Sequence, residues 1–146
     1  MTGKNILFKM VNLYPPFLGA GIRVKVSKDI KTIDVTLKLS FYNRNYVGTQ
    51  YGGSMYSMCD PFYMILLMEN LGKDYIVWDQ SASITFKKPG KTRLRATFHI
   101  PESQYQAIKS QLEVKEKIYP VFTVDILDND DNIVATVDKT IYIKKK

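Results

Sequence analysis

The chain has 146 residues, 45% apolar and 24% charged. That suffices for one domain with a buried core and excludes wholesale disorder. Its one cysteine, Cys59, excludes an intrachain disulfide and a cysteine-based metal site. The formal net charge of +7 leaves two readings open: a solvated basic face, or attraction of an anionic partner such as a phosphate-bearing cofactor, RNA or an acidic membrane surface.

The opening MTGKNILFKMVN has no small-residue cleavage site after a long apolar core, unlike a signal peptide, so a cytoplasmic, reducing location is expected. Apolar residues at Ile6, Leu7, Met10, Val11 and Tyr14 predict an extra amphipathic N-terminal helix, stopped by Pro15-Pro16, with a turn at Gly19-Ala20-Gly21. Alternation over Ile22–Ser27 and Ile33–Phe41 predicts two strands, joined at Lys28-Asp29 as an antiparallel hairpin.

A Gly-rich turn, Gly48 to Gly53, then runs into the most apolar stretch of the chain. With no further glycine before Gly72, this stretch predicts one helix about 30 Å long. Apolar residues on most of its sides imply burial all round. It is not a membrane span, because Asp60 and Pro61 interrupt it and Phe62–Met68 is far too short. A carboxylate inside such a run is costly unless it is paired or put to use, and Pro61 bends the helix beside it.

Four more alternating stretches follow. In the first, Trp78, Gln80, Ala82, Ile84 and Phe86 share a face, which places Trp78 in the core. Pro89-Gly90 turns the chain into a strand over Leu94–Ile100, and Pro101 starts a helix over Glu102–Lys115. The last two strands, Tyr119–Leu127 and Ile133–Ile143, are joined by the turn Asp128–Asn132, and Lys144, Lys145 and Lys146 form a frayed tail. Each strand has one apolar and one polar face, so the expected class is α+β, a curved antiparallel sheet wrapped around one long central helix.

Glycines allow close backbone approach, and a helix start offers unpaired N–H groups that can hold developing negative charge. An acid two turns further on, Asp60, can serve as general base or nucleophile. The residues alone equally allow the glycines simply to pack the helix on the sheet, with Asp60 bonding a neighbour. His99, the single histidine, falls on a polar strand face and reads as a surface residue. Cys59 reads as a buried thiol.

The run Asn45-Tyr46-Val47-Gly48-Thr49-Gln50-Tyr51-Gly52-Gly53, then six residues, then Asp60, resembles the signature of hotdog-fold acyl-CoA thioesterases of the phenylacetate-pathway type. That family reads N-x-x-G-x-x-H-G-G, six residues, then a catalytic Asp or Glu. The motif likeness covers residues 45–60, and the order of elements suits a hotdog fold over roughly residues 18–143. The resemblance implies one hotdog-like domain over residues 1–146 that pairs edge to edge into a dimer or tetramer. It implies that Gly52 lends its N–H to the thioester carbonyl, that Asp60 activates water or attacks across a subunit interface, and that Asn45 orients substrate or water. Tyr51 stands where the motif has His, keeping one hydroxyl donor but no proton charge near neutral pH. Gly53 belongs to the same turn, Asp79 takes the place of a residue lining the site, and Lys88 and Arg93 flank Pro89-Gly90 where family members hold CoA phosphates.

Two functions are thus expected: a thioesterase acting on an acyl-CoA or related thioester, or a non-catalytic protein that binds acyl-CoA or a fatty acyl group. No cofactor or metal is expected, nor nucleic-acid binding, since the chain has no RNP-like, helix-turn-helix or zinc spacing.

Overall fold

The computed structural model describes residues 10–146. Of the expected N-terminal helix, Asn5–Lys9 lie outside the described residues, and Val11–Leu13 form a 3-10 turn. Pro15-Pro16 does not only stop a helix; it begins α1 (Pro15–Ala20), because proline's fixed φ and missing N–H suit a first helical turn. Gly21, at φ +81°, closes α1 by donating to the Leu18 carbonyl at 3.2 Å.

β1 (Ile22–Val26) and β2 (Thr32–Leu37) form the expected antiparallel hairpin. β2 ends at Leu37 rather than running to Phe41, which is 81% exposed. Asn43 turns the chain there: its Nδ2 donates to the Ala20 and Lys38 carbonyls at 2.8 and 2.7 Å, and its Oδ1 accepts from the Ser40 amide at 2.7 Å.

The central helix is interrupted. α2 (Gly52–Ser57) and α3 (Phe62–Leu71) are separated by a turn at 58–61. Pro61 has no amide proton for residue 57 and sits at the N-cap of α3, so the break falls where the proline chemistry puts it. Nor is the helix buried all round: Phe62, Tyr63, Leu66, Leu67 and Leu71 are buried, whereas Met68 is half exposed.

β3 (Tyr75–Phe86), β4 (Leu94–His99), α4 (Glu102–Val114), β5 (Lys117–Ile118), β6 (Val121–Leu127) and β7 (Ile133–Lys145) complete the chain. The seven strands form one antiparallel sheet in the order β1-β2-β4-β6-β7-β3, with β5 also on β7. This is the hotdog fold, a curved sheet around a central helix. Tyr63 pins α3 to the concave face: its ring stacks on Phe122 at 5.0 Å, meets Phe98 edge-on at 5.1 Å, and its hydroxyl donates to the Thr123 carbonyl at 2.8 Å. Tyr105, Ile108 and Leu112 bury one face of α4 in the same core.

Two expectations fail at the sheet margin. A bulge between Asp79 and Ser81 inverts the alternation of β3, so Val77 and Asp79 lie on the inner side while Trp78, paired with Tyr142, is 65% exposed. The C-terminal lysines are not frayed either. Lys144 and Lys145 belong to β7 and pair with Glu116 at 2.7 Å and Glu113 at 2.9 Å, and the Lys146 amide donates to the Asp74 carbonyl at 2.9 Å.

Gly21 gives a direct check on this packing. A Cβ there would lie 2.7 Å from Asn43 Nδ2, on a backbone that L-residues avoid. Gly21→Ala is expected to lower unfolding free energy in urea by about 2 kcal/mol.

Candidate active site

The loop entering α2 is held by its own polar groups. Asn45 Oδ1 accepts from the Val47 and Thr49 amides at 3.1 and 3.0 Å, and its Nδ2 donates to Thr49 Oγ1 at 3.0 Å and the Gln50 carbonyl at 3.2 Å. Gly48, at φ +83°, allows the reversal. Gln50 is buried and anchors the loop to the sheet: its Nε2 donates to the Leu37 and Thr92 carbonyls at 3.2 and 3.0 Å, and its amide donates to the Gly90 carbonyl at 2.8 Å.

The glycine pair makes room for two rings. A Cβ on Gly52 would sit 3.0 Å from Phe86 Cζ, and one on Gly53 would sit 2.6 Å from the Tyr51 ring. The opening N–H groups of α2 have no intrahelical acceptor. A cleft of about 470 Å³ lies on the Gly52 side, bordered by Asn45, Phe86, Lys87, Lys88 and Gly90. A second, of about 610 Å³, includes Tyr51, Gly53, Ser54, Ser57 and Arg44.

Asp60 stands at the other end of α2, about 9 Å of helix rise away, and lines neither of these clefts. Its Oδ1 accepts from the Tyr56 hydroxyl at 2.7 Å and from Lys139 Nζ at 3.2 Å. The side chain remains 50% exposed. Lys139 is only 1% exposed and also lies 3.2 Å from Asp79 Oδ1, an ion pair whose angle falls short of a hydrogen bond. Its ammonium is 3.3 Å from the Tyr56 oxygen and 5.4 Å from the centre of that ring. Asp60, Asp79, Tyr56 and Lys139 therefore form one cluster beside β3, whose outer edge has no strand partner among the described residues.

Burial raises the Asp79 pKa, and Lys139 only partly offsets it. For Lys139 burial acts to lower the pKa, but the Asp79 and Asp60 carboxylates prevail and raise it, so the ammonium stays charged. Burial, and then the hydrogen bond to Asp60, raise the Tyr56 pKa.

Among the residues read from the sequence, the chain brings together Asp60 and Asp79, and separately Asn45, Tyr51, Gly52 and Gly53. Lys88 is drawn to Asp128 at 2.6 Å, and Arg93 is exposed. His99 is exposed and touches the Lys31 carbonyl at 3.0 Å. Sequence reading missed Lys139. Lys139 had a signal: it interrupts the inward series Ala135, Val137, Ile141, Ile143, so it is in phase with the buried face.

The profile of a family described as a domain of unknown function, DUF4442, matches residues 3–143. The chain belongs to the DUF4442 family. No curated protein matches it in sequence. This DUF4442 chain is similar to the crystal structure of a Pseudomonas aeruginosa protein of unknown function described as a probable thioesterase, with TM-score 0.82 and 13% identity, covering 98% of this chain and 96% of that one. It is also similar to a thioesterase of Haemophilus influenzae, with TM-score 0.69, 11% identity and 99% and 92% coverage. A third similar structure is the PaaI protein of the Escherichia coli phenylacetic acid degradation operon, with TM-score 0.65, 16% identity and 98% and 92% coverage. At these identities the likeness establishes the fold of the DUF4442 chain.

Two measurements check the site geometry. Asn45→Ala is expected to lower stability in urea by about 1–2 kcal/mol, because several loop hydrogen bonds depend on one side chain. Cys59 is fully buried, and burial pushes its thiol up to about 12. It is expected to resist a thiol-reactive dye in the native protein at pH 8 and to react at once in urea.

Proposed function

We propose that the chain hydrolyses an acyl thioester, an acyl-CoA or a close relative, with Asp60 as general base or nucleophile. The observation that carries this is the setting of Asp60. Its Oδ1 is held by Tyr56 and Lys139 while the side chain stays half exposed, which leaves Oδ2 available to a water or a carbonyl carbon. Its place fifteen residues after Asn45 in the motif, and a fold similar to that of proteins described as thioesterases, support the reading.

In this proposal, water loses a proton to Asp60 as its oxygen attacks the thioester carbon, the C–S bond breaks, and the thiol leaves with the proton. The developing oxyanion needs a donor, and the Gly52 amide at the start of α2 is the one offered. Because α2 separates Gly52 from Asp60 within a chain, the pair is completed by a second copy, and the outer edge of β3 beside Asp60, unpaired among the described residues, is suited to that contact. Asn45 acts by holding the loop, Gly53 lets Tyr51 lie over the helix start, and the Tyr51 hydroxyl faces the substrate. Lys87 and Lys88, which border the Gly52 cleft, supply positive charge for the phosphates of CoA.

One observation favours a second reading, an acyl-binding protein without turnover: the motif histidine is Tyr51, which cannot carry a proton charge near neutral pH. The experiment is thiol release from aromatic and from short- and long-chain aliphatic acyl-CoAs. Turnover that falls at least about 1,000-fold in Asp60→Asn is expected. Tight acyl-CoA binding without thiol release by the wild type would select the second reading.

A further inference from the structure

We propose that Lys139 is the positioning residue for the Asp60 carboxylate and that Asp79 is its resident counter-ion rather than a group that binds substrate. The inference rests on the hydrolase reading of Asp60 and extends it to two residues that would not meet a substrate.

The geometry separates the three roles. Lys139 sits on the inner face of β7 between Val137 and Ile141, opposite Ala82 of β3, and its side chain is 1% exposed. A stem clamped between two paired strands cannot follow substrate, so the ammonium is a fixed point. From there it reaches Asp60 Oδ1 and Asp79 Oδ1, each at 3.2 Å. Asp60 alone is a poor partner for a buried ammonium, because it is half exposed and its charge changes whenever it takes a proton. Asp79, 27% exposed on a strand, keeps Lys139 compensated through such a change. The other titratable groups facing the ammonium are Tyr56 on α2 and Cys59 in the 58–61 turn; Tyr56 adds a second donor to the same Asp60 oxygen. Together they hold one oxygen of Asp60 and leave the other for a water or a carbonyl carbon.

The test uses the full chain. Lys139→Met keeps the stem and removes the charge. With the best thioester substrate, kcat is expected to fall about 100-fold with KM changed by less than about twofold, and the acid limb of the kcat/KM profile to move to higher pH. Adding Asp79→Asn to that variant should move the limb back while kcat stays low, because the ammonium that fixes Asp60 is still missing. A limb that does not move, with kcat within about twofold of the wild type, would overturn the proposal.

A second measurement needs no substrate. Unfolded Asp titrates near about 3.9, and in folded Lys139→Met burial raises Asp79 with no ammonium to oppose it. The cost is therefore absent below that value and grows as pH rises through the folded value. The urea midpoint of Lys139→Met should fall relative to wild type between pH 4 and 8, while Lys139→Met/Asp79→Asn should track the wild type. Parallel curves for the single variant and the wild type would overturn the counter-ion assignment. If Lys139→Met fails to fold, the double variant should still fold, and its failure would be equally damaging. An inactive wild type, or an active Asp60→Asn, would instead sink the hydrolase reading and leave the urea series to decide the role of Lys139.

Discussion

Burial of α3 against the concave face of the sheet is the constraint on which the other features rest. Phe62, Tyr63, Leu66, Leu67 and Leu71 must leave water together, and a sheet that curves over one helix is the layer arrangement that removes them all. Each buried side chain of this size contributes about 1.5–3 kcal/mol against leaving it exposed, so no local preference of a loop competes with their combined demand. The aromatic contacts of Tyr63 with Phe98 and Phe122 set where along the sheet the helix sits. Pro61 sets where it begins.

That placement creates the polar cluster. Because α3 starts at Phe62, the turn before it brings Asp60 over the inner face of β7, opposite the one inward position occupied by a lysine. The bulge in β3 then aims Asp79 inward at the same ammonium. A helix break, a bulge and an out-of-place lysine would each be a local cost. Here they meet at one point beside the outer edge of β3. Local costs of this kind are expected to gather at functional or strained sites rather than through the regular core.

Much of the fold was legible, since strand alternation and helix periodicity report directly which side chains leave water. The β1-β2 hairpin, the β6-β7 strand pair and α4 can be read from spacing alone, and so can the Gly-rich entry to α2. The misreadings share a cause. Strict alternation puts Trp78 inside, because no residue type in Asp79-Gln80-Ser81 announces the bulge that reverses it. Lys144 and Lys145 look like a tail in the sequence because their partners, Glu116 and Glu113, lie about 30 residues away. The strand to Phe41 was cut short by Asn43, whose hydrogen bonds reach back to Ala20 across a turn. In each instance a contact distant in sequence outweighed the local pattern.

The candidate site divides along the same line. The 45–60 spacing and the isolation of Asp60 in an apolar run were visible in the sequence, because motif spacing and the cost of a buried acid are local properties. That Asp60 is held by Tyr56 and Lys139, and that Asp79 faces the same ammonium, was decided by the tertiary structure. Only the pairing of β3 with β7 and the packing of the helix across them bring residues 56, 60, 79 and 139 within reach of one buried charge.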